Sequence, residues 1–142
     1  MNYHEALKKI GNKCPFCAID ENIKIYDYAS VYMTIARAPY GPDHLLIIPK
    51  RHVDSLFDLT IEEDDEIQGL VRAGIKMLKK LGYSDLSILV REGMATGKSI
   101  PHLHYHIIPN INIGSANSNG EREFLDDNKA KEAIDRILKV KI

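Results

Sequence analysis

The 142-residue chain reads as an α+β fold, with an antiparallel sheet of about five strands and two main helices. Two observations predict this class. Short apolar runs rich in branched residues succeed one another with only tight turns between the first pair, and two longer segments repeat apolar residues at helical spacing. A third observation sets the organisation: there is no internal repeat and no linker-like stretch, so residues 1–142 are expected to form a single domain.

The elements follow in order. Residues 3–10 form a short helix, stopped by Gly11-Asn12 ahead of the Cys14–Cys17 loop. Ile23–Tyr28 and Val31–Ile35 alternate as strands joined by a tight turn. Ala36–Asp43, with Pro39, Gly41 and Pro42, is a loop, and His44–Pro49 is a short branched run suited to a buried strand. Thr60 with Glu63 is a capping-box pattern that opens the clearest helix, and Gly82 closes it. Inside it Ile67, Leu70, Val71, Met77, Leu78 and Leu81 share a face, while the acidic run Glu62–Glu66 favours the helix dipole and is assigned no function. Leu86–Val90 is a strand, Arg91–Ser99 a loop and His102–Ile108 another strand. Ile111–Gly120 is a polar loop. A last helix from about Asp127 places Ala130, Ala133, Ile134, Ile137 and Leu138 on one face.

Composition narrows the function. With 44% hydrophobic and 27% charged residues the chain matches an ordinary globular protein. Its formal net charge of -1 provides no basic field of the kind that holds duplex nucleic acid, so no nucleic-acid partner is expected. No apolar run is long enough to span a bilayer and the first residues lack a signal-peptide pattern, so a cytoplasmic protein is expected.

Pro101-His102-Leu103-His104-Tyr105-His106-Ile107-Ile108-Pro109 carries most of the chemistry. Read as a strand, it places His102, His104 and His106 on one face and Leu103, Tyr105 and Ile107 on the core face, with successive histidines roughly 7 Å apart. Three imidazoles so spaced can divide their tasks. A solvated face carrying histidines by chance fits this strict alternation poorly. A metal site made from all three is a second reading.

Cys14 and Cys17 are the whole cysteine supply, and two thiolates do not close a tetrahedral site. If the His44 strand lies beside the triad strand, His52 can approach His102. A site of Cys14, Cys17, His52 and His102 would then be closed and structural. A redox motif would need a thioredoxin-like strand and helix around the cysteines, which are missing, and a disulfide suits a cytosolic protein still less.

The alternating His102, His104 and His106 followed by Ile107-Ile108 resembles the motif of the histidine-triad superfamily. Cys14-Pro15-Phe16-Cys17 resembles its amino-terminal zinc knuckle, Pro42–His52 its central histidine strand, and Gly93–Ser99 its phosphate loop. These segments cover most of residues 14–109, with the loop and helix of about 110–142 outside the likeness. The resemblance implies a HIT-like fold, often a two-fold homodimer, that binds a purine nucleotide or dinucleoside polyphosphate. It implies that His104 is the nucleophile, that Cys14, Cys17, His52 and His102 hold a structural Zn2+, and that His44, His106 and Ser99 line the phosphate site. Arg91, Gly97 and Lys98 join that site as neighbours in the same loop. No catalytic metal is expected.

The chemistry suits those roles. A neutral imidazole can attack an α-phosphorus while its other nitrogen keeps a proton, and His106, Ser99 and amides near Gly97 can stabilise the phosphoryl oxygens. The expected function is a nucleotide hydrolase or nucleotidyltransferase acting on a nucleoside phosphoramidate or dinucleoside polyphosphate through a nucleotidyl-His104 intermediate. The alternative is a non-catalytic nucleotide-binding or scaffold protein of the same fold. Arg91 and Lys98 depart from the family's frequent Asn and Gln and add positive charge beside the expected phosphates. Ala36 stands where an acid or amide commonly grips the ribose, leaving Arg37 or another group to replace it. The loop Ala38–Pro42 resembles the dinucleoside-tetraphosphate phosphorylase branch, although the stretch after Pro109 lacks that branch's Arg-Trp pair.

Overall fold

Five antiparallel strands form one sheet in the order β1-β2-β3-β5-β4. They are β1 (Lys24–Asp27), β2 (Val31–Ile35), β3 (Leu45–Pro49), β4 (Leu86–Val90) and β5 (Tyr105–Pro109). Among the described residues three α-helices accompany them, α1 (Tyr3–Ile10), α2 (Ile61–Lys80) and α3 (Asp127–Leu138). The computed structural model describes residues 1–11, 13–96, 98, 100–110 and 122–142. The polar loop expected over 111–120 lies outside these residues, as do Gly97 and Ser99.

Every residue of β2, β3 and β5 is buried. Both faces of the central sheet are therefore covered, which is why His44–Pro49 reads as a continuous apolar run instead of alternating. On one face Met33, Leu45, Ile47, Tyr105 and Ile107 pack with Ile67, Leu70, Met77 and Leu78 of α2 and with Ile134 and Ile137 of α3. On the other, Tyr32, Leu46 and Ile48 pack with Phe16 and Ile100, and Leu7 of α1 closes over them.

The helix signals act as their chemistry requires. Thr60 Oγ1 accepts the Glu63 amide at 3.1 Å while Glu63 returns a carboxylate to the Thr60 amide at 2.9 Å. Gly82, at φ 103°, ends α2, with the Tyr83 amide reaching back to the Leu78 carbonyl at 3.2 Å. Gly74 brings α2 close to the sheet: a Cβ there would lie 2.6 Å from Ile107 Cδ1. In α3, Ala130, Ile134 and Ile137 are buried as expected of the shared face, but Leu138, the last residue of the helix, is exposed.

The triad segment corrects one expectation. β5 begins at Tyr105, so His102 and His104 precede the ladder. Their amides and carbonyls serve the site and the neighbouring loop: the Leu103 amide donates to the Val53 carbonyl at 2.7 Å. Only His106 sits in the sheet, opposite Leu46.

Candidate active site and metal centre

Strand register explains why His44 and His106 meet. Leu46 faces His106 across the β3–β5 pair, and His44 lies two residues from Leu46, so both imidazoles project to the same face as diagonal neighbours. His44 Nε2 lies 2.9 Å from His106 Nδ1. The backbone just before His44 is pinned. Asp43 adopts φ 63°, takes the Arg136 Nε at 2.8 Å from α3 and the Tyr83 hydroxyl at 2.5 Å from the α2–β4 turn.

The proton positions follow from these contacts. The Tyr40 amide donates to His44 Nδ1 at 3.1 Å. A neutral His44 must then carry its proton on Nε2 and donate it to His106 Nδ1, leaving the His106 proton on Nε2. His104 Nδ1 lies 2.7 Å from the His102 carbonyl. That carbonyl can only accept, so His104 keeps its proton on Nδ1 and bares the Nε2 lone pair.

All three of these imidazoles are held neutral. Burial pushes His104 down to about 4, aided by the charges of Lys98 and Arg91 and opposed by the bond to the His102 carbonyl. Burial, then the charges of Arg122 and Arg91, pushes His44 down to about 3. His106 falls well below its ordinary value for the same first cause, with the neighbouring histidines, Arg91 and Arg122 adding to it. An unprotonated, tautomer-fixed His104 can act as a nucleophile, and a neutral His106 with Nε2–H can donate a hydrogen bond.

His44, His104 and His106 line one cavity of about 380 Å³. Its other end is apolar, with Ile19, Ile23 and Ile35 among its walls. Arg91 and Arg122 also line it. Lys98 does not stand among the lining residues: it is buried, and its ammonium is held by the Asp54 carboxylate and, at 3.0 Å, by the Asp54 carbonyl. Ala36 is buried in the wall. Arg37 reaches the wall but gives Nε and Nη2 to the Leu125 carbonyl at 3.2 and 2.9 Å. Among the described residues, Asp20 is the acidic residue that lines the cavity.

Cys14, Cys17, His52 and His102 form a second cluster, their potential ligand atoms all within 4.8 Å of one another. Cys14 Sγ is 3.4 Å from His102 Nδ1, Cys17 Sγ is 3.1 Å from His52 Nδ1, and the two Nδ1 atoms are 3.2 Å apart. Edges of a zinc tetrahedron with these donors run roughly 3.3–3.8 Å. His102 Nε2 lies 2.7 Å from the Pro49 carbonyl, so it carries the proton and turns the Nδ1 lone pair into the cluster. This donor set fits a closed tetrahedral metal. Phe16, between the cysteines, stands edge-on to His104 at 4.9 Å and to His102 at 5.9 Å, packing the Cys14–Cys17 segment against His104.

Sequence reasoning did not identify Arg122. It lies beyond the resembling segments, in a region with no periodicity, and only the pairing of the chain's start with residues 122–124 brings it to the site: Asn2 bridges Glu123, and the Tyr3 amide donates to the Arg122 carbonyl at 3.0 Å.

Comparison with known proteins agrees with this geometry. The family model of the HIT domain matches residues 19–113. A bifunctional bis(5'-adenosyl)-triphosphatase/adenylylsulfatase of Arabidopsis thaliana is 30% identical over 136 residues, covering 92% of this chain and 75% of its own. An adenosine 5'-monophosphoramidase of Schizosaccharomyces pombe is 30% identical over 103 residues, covering 70% of this chain and 75% of its own. The crystal structure of a zinc-bound histidine triad family protein from Mycobacterium smegmatis superposes with a TM-score of 0.68 at 22% identity, covering 89% of this chain and 94% of that one.

Proposed function

The chain belongs to the HIT domain family, and from that premise we propose that it is a nucleotide hydrolase or nucleotidyltransferase working through a covalent nucleotidyl-His104 intermediate. The observation that carries the reading is His104 itself. Buried in the cavity wall and neutral, it is bonded through Nδ1 to the His102 carbonyl, which leaves Nε2 free to attack.

The substrate's nucleoside lies against the apolar end of the cavity and its α-phosphate between His104 and His106. His104 Nε2 forms a bond to phosphorus as the bond to the leaving group breaks. His106 donates a hydrogen bond from Nε2 to the departing atom, which leaves as an anionic phosphate or, from a phosphoramidate, as an amine that takes its proton from solvent. In the second step water, phosphate or another acceptor attacks phosphorus through oxygen and loses any proton to solvent, while the bond from phosphorus to His104 Nε2 breaks and frees the neutral imidazole. Arg91 offsets charge on the phosphoryl oxygens from the cavity wall, and Gly97 and Ser99 are assigned phosphate contacts on the family resemblance. Nucleoside phosphoramidates and dinucleoside polyphosphates are both substrates of this form, in keeping with the activities named for the two relatives.

Zinc at Cys14, Cys17, His52 and His102 belongs to the same reading, supported by the donor set and by the Pro49 bond that fixes His102. When bound it supplies a structural cross-link. The chain's own residues do the rest: His102 holds the Nδ1 proton of His104 through its carbonyl, and Phe16 packs against both rings. The proposed setting is a cytoplasmic homodimer. No described helix is long and apolar enough to cross a membrane. β4 stands at a sheet edge with Ile88 exposed, and sedimentation velocity would give the assembly state.

The decisive experiment offers diadenosine polyphosphates and an adenosine phosphoramidate with and without phosphate, beside His104→Ala. The expected result is turnover in the wild type and a fall of about 10³-fold or more in the variant. Phosphate dependence marks a phosphorylase and phosphate independence a hydrolase. Nucleotide binding with no turnover would establish a non-catalytic binding protein instead.

A further inference from the structure

Arg122 occupies an unusual position for a cation. Its guanidinium is stacked between two tyrosine rings, 4.2 Å from the centroid of Tyr3 and 4.2 Å from that of Tyr40. Tyr40 in turn stacks on His44 at 5.6 Å and lies 6.2 Å from His106. The order His44, Tyr40, Arg122, Tyr3 thus runs outward from the histidine pair along the wall of the same cavity. Two aromatic faces hold the guanidinium plane in one orientation before any ligand arrives.

Its polar atoms are not used up. Nη1 donates to the Ala38 carbonyl at 2.8 Å. Nε is buried without an acceptor. Among the described residues no carboxylate pairs with it, whereas Arg51, Arg136 and Lys98 are paired with Glu63, Asp43 and Asp54. A guanidinium with a buried donor unsatisfied and no counter-charge is complementary to an anion with several oxygens. Its direction is also defined. In an in-line displacement the leaving group departs opposite the nucleophile. Arg122 stacks on Tyr40, whose ring centroid lies 6.2 Å from that of His106, which places it on the side of the residue that contacts the leaving group.

We infer that Arg122 is a specificity-determining residue that binds the anionic leaving group, selecting nucleotides with a polyphosphate tail over those that lose a neutral amine. This inference rests on the reading of His104 as nucleophile and His106 as hydrogen-bond donor to the leaving group. The tyrosines contribute by presenting the guanidinium, so Tyr3 and Tyr40 are positioning residues. Lys98, committed to Asp54, is not the source of this selectivity.

The test compares wild type, Arg122→Gln and Arg122→Lys for calorimetric affinity toward adenosine monophosphate and diadenosine tetraphosphate, and for kcat/KM on the tetraphosphate and on an adenosine phosphoramidate. Loss of one charge-assisted contact predicts a fall in tetraphosphate affinity of roughly tenfold to a hundredfold in Arg122→Gln. Monophosphate affinity should fall much less, and the kcat/KM ratio of polyphosphate to phosphoramidate should drop by a similar factor. Arg122→Lys, which keeps the charge, should recover part of both. Equal losses for both ligands, or no loss, in a variant of unchanged thermal midpoint would overturn the inference. Should Arg122→Gln fail to fold, the same comparison on Arg122→Lys decides, because a lost fork geometry must still weaken the tetraphosphate more than the monophosphate. A wild type that binds these nucleotides without cleaving them would remove the His104 reading, yet the two affinities would still decide the role of Arg122.

Discussion

His44 Nε2 and His106 Nδ1 lie 2.9 Å apart, and this one contact transmits a backbone decision to the reacting atoms. The Tyr40 amide, donating to His44 Nδ1, selects the His44 tautomer. His44 then selects that of His106. A main-chain N–H in a proline-rich loop thus determines where the proton of His106 resides.

The pair also makes stability depend on pH. Both imidazoles are neutral when folded, with His44 pushed to about 3 and His106 well below its ordinary value, chiefly by burial. An unfolded chain takes up these protons near pH 6.5. Between that value and the depressed folded values the unfolded state binds more protons, so stability is full above about pH 6.5 and is lost as pH falls toward about 3. Urea unfolding from pH 7.5 to 5 should show a falling midpoint, with a shallower fall in His44→Gln. A midpoint independent of pH across that range would mean that the histidines are charged in the fold.

Metal removal tests the second cluster. Purified protein should contain one zinc per chain by elemental mass spectrometry, and Cys17→Ser should lose it. An ion present at a hundred times its dissociation constant adds about 2.7 kcal/mol, or roughly 10 °C in Tm for a domain of this size. Chelation should lower the wild-type midpoint by that order and leave Cys17→Ser unmoved. Unchanged zinc content in the variant would show that the metal sits elsewhere.

Two glycines of α2 should respond with opposite signs. A Cβ at Gly69 meets nothing within 4 Å, so Gly69→Ala should stabilise by about 0.5–1 kcal/mol through backbone entropy and helix propensity. At Gly74 the new Cβ would lie 2.6 Å from Ile107 Cδ1 and 3.2 Å from Met33 Cε, both fully buried. Overpacking of about 1–3 kcal/mol then outweighs the same propensity gain. Denaturant midpoints of the two variants would diverge, and a stabilised Gly74→Ala would show that the sheet yields more readily than its burial suggests.

Much of this was legible in the sequence because its signals are local. Thr60 and Glu63 form a cap from four adjacent residues, and the period of Ile67, Leu70, Met77 and Leu78 follows from helix geometry alone. The four residues of the candidate metal site were legible through residue chemistry and resemblance, since few side chains suit a soft metal. The start of β5 was not. Whether His102 and His104 join a ladder depends on where the neighbouring strand stops, and the loop at Val53 takes up the Leu103 amide instead.

By itself the sequence determined the helices, the strand order along the chain, the histidines available to attack phosphorus and the thiolates available to a metal. These depend on side-chain chemistry and on periods of two and 3.6 residues. Tertiary structure alone decided the tautomers of His44, His104 and His106, the commitment of Lys98 to Asp54, and the entry of Arg122 between Tyr3 and Tyr40. The physical reason is separation along the chain. Tyr3 and Arg122 have no shared local pattern, and only a fold that pairs Asn2 with Glu123 turns their distance in sequence into a contact in space.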